Sequence, residues 1–134
     1  MKVTDLEGNV STWKMKGSVV ISKGRECSAL HIKARKLVHE VYPTVTLLEE
    51  VPLHVRPSNV LYLDFYIPLH KIAIEVHGKQ HYEYIRHFHR DRIACAKHMR
   101  RDREKAEWCE LNDIKLIVLP YNETVDEWRQ KINM

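Results

Sequence analysis

Cysteine is scarce and unpaired in this chain. The three present, Cys27, Cys95 and Cys109, are an odd number at wide spacing with no C-x-x-C pair. That excludes a disulfide framework, a zinc knuckle and a dithiol redox motif, and leaves reduced, packing thiols as the expectation. No apolar run approaches the ~20 residues needed to cross a bilayer. Met1–Lys16 also lacks the apolar core of a signal peptide. A cytoplasmic protein with no membrane partner is expected. Repeats, linkers and low-complexity tracts are missing. A hydrophobic content of 44% excludes disorder and collagen-like structure.

What is present is one domain's worth of chain, 134 residues, with 22 Lys+Arg against 18 Asp+Glu and nine histidines. Residues 1–21 read as a separate β-like arm or hairpin: Val3–Leu6 and Val10–Trp13 flank the turn signal Glu7-Gly8-Asn9. The rest, 22–134, reads as one domain. Leu30, Ala34, Leu37, Val38 and Val41 recur at helical spacing over 28–41, with Ser28 as candidate cap and Pro43 as terminator. Three strands follow, Thr44–Leu53, Val60–Ile67 and Lys71–His77, separated by Arg56-Pro57-Ser58-Asn59 and by Pro68. The short links predict antiparallel neighbours. A helix over about 91–112 leads to the apolar strand Ile114–Leu119, which its composition predicts to be buried on both faces. Thr124-x-x-Glu127 is a capping box that opens a last helix. The helix between the third and fourth strands is a crossover, which lets the fourth lie parallel to a neighbour.

Chemistry concentrates on the middle strands. Period two puts Leu61, Leu63, Phe65 and Ile67 on one face and Tyr62, Asp64 and Tyr66 on the other. In the next strand it separates Ile72, Ile74 and Val76 from Ala73, Glu75 and His77. Asp64, Glu75 and His77 then converge on one patch. Carboxylates in hydrophobic strands are costly unless they bind something. A divalent cation is the natural partner, since hard oxygen ligands suit Mg²⁺ or Mn²⁺. A solvated, salt-bridged sheet face is the plainer alternative. The dense polar run His77-Gly78-Lys79-Gln80-His81 favours a site.

Those residues resemble a family. Asp64 and Glu75, eleven positions apart, look like the carboxylates of the PD-(D/E)XK nuclease signature. The segment LDFYIPLHKIAIEVHGKQHY is similar to the core of very-short-patch-repair-like and DUF559-type endonuclease domains of phage and mobile elements. RRDREKAEWCELNDIKLIVLPYNE resembles their following helix and strand, so the likeness covers about 28–133. The resemblance implies an α/β, restriction-endonuclease-like core: a mixed four-stranded sheet flanked by helices, in the order helix-strand-strand-strand-helix-strand-helix. It implies Mg²⁺-dependent endodeoxyribonuclease activity. Carried over by position, Asp64 and Glu75 are metal ligands, joined by the Val76 carbonyl. His77 stands where the signature has lysine and would handle the attacking water. Lys79 or Lys105 would supply the missing cation, and His81 a phosphate or water contact. Related nucleases add a further acidic residue. Glu26, Glu49 and Glu50 are candidates, and alternation favours Glu50.

Arg86, Arg90, Arg92, Lys97, Arg100, Arg101, Arg103 and Lys105 form a basic run that fits a DNA backbone. Tyr82, Tyr84 and Phe88 interleave with it and fit either stacking on unpaired bases or packing in the core. Zinc on His81, His87 and His89 matches no standard ligand spacing. Two other readings stay open: a non-catalytic nucleic-acid-binding domain on the same fold, and a junction-selective resolvase, which would need a homodimer. No sequence-reading domain is visible, so structure-guided cutting or a partner subunit is expected.

Overall fold

The computed structural model describes residues 1–15, 18–19, 29–82 and 92–133, with the backbone alone for 18, 19 and 80. The expectations for Glu26, Arg86 and Arg90, and for Ser28, Tyr84, His87, Phe88 and His89, lie outside the described residues.

The protein is mixed α/β. A hairpin of β1 (Lys2–Thr4) and β2 (Val10–Thr12) precedes β3 (Ser18–Val19), α1 (Ala29–Val41), β4 (Leu48–Arg56), β5 (Asn59–Ile67) and β6 (Ile72–His77). A 3₁₀ turn (Lys79–His81), α2 (Arg92–Leu111), β7 (Lys115–Pro120) and α3 (Val125–Asn133) complete it. The four long strands lie in the order β4-β5-β6-β7, and two-residue β3 adds an edge beside β4. β4, β5 and β6 are antiparallel, while β7 runs parallel to β6 after the α2 crossover. The sheet is therefore mixed, with one short strand more than the sequence indicates.

The first long strand runs later than its composition indicates. β4 starts at Leu48, and Arg56 pairs with Asn59, so the link to β5 is the two residues Pro57-Ser58. Two residues suffice because a tight turn closes antiparallel strands. The capping box forms: the Thr124 N–H donates to Glu127 Oε1 at 3.3 Å and the Glu127 N–H to Thr124 Oγ1 at 3.2 Å. β7 is an edge strand, so its burial is one-sided. Ile117 and Leu119 are buried, whereas Leu116 and Val118 are only half-buried.

Each sheet face carries its own core. On one face α1 and α3 bring Ala34, Leu37, Val38, Trp128 and Ile132 against Phe65, Ile67, Ile72, Ile74, Val76, Ile117 and Leu119. On the other, α2 and the hairpin bring Trp108, Cys109 and Trp13 against Val51, Leu53, Leu61, Leu63, Tyr66 and Ala73. Trp13 packs on Tyr66 and Trp108 at 4.7 and 5.0 Å between ring centroids, and its Nε1 donates to the Pro52 carbonyl.

These two cores overturn the simple alternation expected of β5. Leu63 and Phe65 belong to opposite cores, and Tyr66 joins Leu61 and Leu63. The count of two slips at Asp64. The neighbouring strand slips at the matching place: Leu48 and Val51, three apart, share one core, and Glu50 between them adopts a left-handed backbone with φ 53°. The pairs Glu49–Phe65 and Val51–Leu63 put Glu50 opposite Asp64. A non-glycine residue there costs on the order of 1–2 kcal/mol. The local twist turns Asp64 out of the regular ladder.

Candidate active site

β5 and β6 are paired only from Phe65–Ile74 to Ile67–Ile72. Beyond Phe65–Ile74 the ladder bonds are replaced by side chains. The Asp64 N–H donates to Glu75 Oε2 at 2.8 Å, and the Val76 N–H donates to Asp64 Oδ2 at 2.8 Å. Each carboxylate thus takes a backbone donor from the opposite strand.

The crossover helix supplies a cation. Lys105 Nζ lies 2.6 Å from Glu75 Oε1, with both side chains largely buried. Lys105 does not join the exposed basic surface with which the sequence groups it; it turns inward. His98, Asp102, Lys105 and Cys109 recur at helical spacing and form the site-facing stripe of α2. Cys109 is buried and its thiol is pushed up to about 12, chiefly by burial, so it packs as a neutral side chain.

Glu75 is 2% exposed. Burial, and then the Asp64 carboxylate, push it up to about 8, against the opposing pull of Lys105. Burial alone would lower Lys105, but the Glu75 and Asp64 carboxylates outweigh it and hold the ammonium above its usual range. At neutral pH Glu75 therefore keeps a proton between the two carboxylates, and a divalent cation would take that proton's place.

His77 lies just past this pair. Its ring stacks on His81 at 4.1 Å and 7°. Burial, then His81, push its pKa down to about 4, so it is a neutral imidazole. Nδ1 is 3.5 Å from the Tyr82 hydroxyl, while buried Nε2 has no hydrogen-bond partner among the described residues. His81 Nδ1 is 2.7 Å from Asp102 Oδ2 and 3.2 Å from His98 Nε2. Burial would raise Asp102, but the hydrogen bond and charge of His81 dominate and hold it low. The sequence counts His98 only among the five histidines that cluster after Glu75 as a metal-and-phosphate site, and gives Asp102 no role. The available signal was their spacing of four and three along the helix to Lys105.

The remaining sequence candidates are more dispersed. Val76 contributes its N–H to Asp64 and its side chain to the α1/α3 core. Glu49 points away from Asp64, bound to His31 and Arg35 of α1 at 2.7 and 3.0 Å. Lys79 is exposed on the 3₁₀ turn. Arg92, Lys97, Arg100, Arg101 and Arg103 are exposed on α2.

No family model matches the chain. It is 39% identical over 61 residues to uncharacterized protein 307L of Invertebrate iridescent virus 6, covering 46% of this chain and 31% of that one. Over 65 residues it is 45% identical to uncharacterized protein 094L of Frog virus 3, covering 48% and 42%. Protein 033L of Invertebrate iridescent virus 3 is 36% identical over 64 residues, covering 48% and 33%. These matches span less than half the length of each relative. No solved structure matches. Among the described residues, no helix is long and apolar enough to cross a membrane.

Proposed function

We propose that the chain is a metal-dependent DNA endonuclease of PD-(D/E)XK type. The observation that carries this reading is the meeting of Asp64, Glu75 and Lys105 where β5 and β6 part. It supplies the acid–acid–lysine set with its lysine drawn from α2, so His77 at the signature position no longer leaves the set without a cation.

The donor chemistry fits Mg²⁺ or Mn²⁺. Asp64 and Glu75 offer oxygen ligands, Glu75 giving up its proton as the ion binds, and the Val76 carbonyl and Glu50 are the adjacent candidates. A bound divalent ion would neutralise charge on the scissile phosphate and acidify a water. Lys105 holds the Glu75 carboxylate in place and offers further N–H donors to an anionic phosphate oxygen. Arg92, Lys97, Arg100, Arg101 and Arg103 present a cationic face that fits the sugar–phosphate backbone. The cut then needs no sequence-reading element, which accords with structure-selective or weakly specific substrates.

The test is a cleavage panel with Mg²⁺ or Mn²⁺: supercoiled plasmid, single strands, mismatched duplex and four-way junctions. Cleavage of at least one substrate by the wild type, and none by Asp64→Asn, is expected. Inactivity on every substrate, or undiminished cutting by Asp64→Asn, overturns the reading.

A further inference from the structure

We infer that His77, His81, His98 and Asp102 form a second cation site, built for a transition metal such as Zn²⁺. It is separate from the carboxylate pair and does not rest on the hydrolysis reading. Ligand atoms of His77, His81 and Asp102 lie within 4.8 Å of one another. His98 stands outside that mutual distance but keeps its Nε2 3.2 Å from His81 Nδ1, within reach as a fourth ligand. The four residues come as two pairs four positions apart, His77/His81 after β6 and His98/Asp102 along one face of α2. Such pairs are the usual way a short turn and a helix share a zinc ion.

Proton accounting supports an ion. His81 Nδ1 faces both Asp102 Oδ2 at 2.7 Å and His98 Nε2 at 3.2 Å. One hydrogen on Nδ1 cannot point at both. With no hydrogen there, a lone pair faces the carboxylate. A metal ion would remove the conflict, because a ligand atom offers it a lone pair and needs no hydrogen. Its binding releases the shared proton. Buried His77 Nε2 has no hydrogen-bond partner among the described residues, and the His77 ring, stacked flat on His81, would tilt to present it to the ion. Ligand atoms on a tetrahedral zinc with bonds of about 2.0–2.1 Å sit roughly 3.3 Å apart; His81 Nδ1 is 3.2 Å from His98 Nε2 and 2.7 Å from Asp102 Oδ2, and the rest of the set would close in as the ion binds. His and carboxylate donors without thiolate suit Zn²⁺ or Co²⁺ over Mg²⁺.

The ion would clamp the 3₁₀ turn onto α2 one helical turn before Lys105, fixing that ammonium against Glu75. This assigns His77 and His81 to metal ligation in place of water handling.

Cobalt reports the geometry directly. Chelator-treated full-length protein is titrated with Co²⁺ and its visible spectrum recorded. An intense tetrahedral band saturating at one equivalent, and bleached by Zn²⁺, is expected. Asp102→Asn and His98→Gln should each weaken Co²⁺ binding at least tenfold, and His81→Asn should abolish it. Asp64→Asn should leave the band unchanged. If His81→Asn does not fold, judged by circular dichroism, the other two variants decide. The site is overturned by no such band in the wild type, by a band indifferent to both Asp102→Asn and His98→Gln, or by one lost in Asp64→Asn. None of these results depends on cleavage, so failure here leaves the nuclease reading standing.

Discussion

Asp64 and Glu75 hold each other across the parting of two strands: the Asp64 N–H donates to the Glu75 carboxylate, and the Asp64 carboxylate accepts from the N–H next to Glu75. The two acids are therefore structural as well as chemical. They replace two ladder bonds where β5 and β6 diverge, and so keep the gap polar and open.

Asp64→Asn follows from this arrangement. The amide oxygen still accepts from Val76, while one of two like charges disappears. Removing the repulsion is expected to stabilise the fold by about 1 kcal/mol and raise Tm by a few degrees, while cleavage is lost. Calorimetry beside the plasmid assay checks both arms; a lower Tm contradicts the charge argument.

Lys105→Met strands Glu75 in a buried site. Breaking one side of a buried ion pair costs about 3–5 kcal/mol, and the side chains here are only 15% and 3% exposed. Protonation of Glu75 limits the loss, so the lower end is expected at pH 7. Adding Glu75→Gln should recover more than half of it. Urea denaturation of the four proteins in this cycle measures the coupling, and additive losses would rule the pair out.

Stability should peak at mildly acidic pH. Glu75 has a folded pKa raised from 4.5 to about 8, so its contribution is fully present below 4.5 and is lost as pH rises through about 8. His77 has a folded pKa lowered from 6.5 to about 4, so its contribution is present above 6.5 and is lost as pH falls through about 4. Between 6.5 and 8 only Glu75 acts of these two, and stability falls with rising pH. Thermal midpoints from pH 4 to 9, in metal-free buffer, test this. Glu75→Gln should flatten the alkaline arm and His77→Asn the acid arm.

Trp13 ties the hairpin to the second core, and Asn112 helps by exchanging hydrogen bonds with the Thr4 backbone at 2.7 and 2.9 Å. Trp13→Ala should cost about 3–5 kcal/mol, as for other buried tryptophans. A loss under 1 kcal/mol in urea would mean that the hairpin is dispensable.

DNA affinity should fall steeply with salt. Replacing Arg92, Arg100 and Arg103 with Gln should reduce the slope of log K against log salt by about 2–3, if each meets one phosphate. Fluorescence anisotropy at several salt concentrations reads it, and an unchanged slope removes α2 from the binding surface.

Much of this molecule is local, and local patterns are legible. The α3 capping box, the α1 stripe and the Ala73–Glu75–His77 face of β6 follow from short spacings. The two carboxylates stand out because they interrupt apolar strands. The faces of β5 were not legible in the same way, since Glu50 and Asp64 break the period of two together and only the paired strands reveal it. Lys105 could be named only together with Lys79 as the source of the missing cation, because nothing local shows which of the two turns inward.

The sequence by itself determined the order of the long strands and helices, the acid pair and the cationic helix, because each depends on residues close along the chain. Tertiary structure alone decided which lysine meets Glu75, that Asp102 and His98 face His81, and that Glu50 lies opposite Asp64. Those contacts depend on how α2 and β4 seat against the sheet. Seating is set by burying Trp13, Trp108 and Cys109 in one core, a balance of shapes contributed by distant segments that no short window of sequence contains.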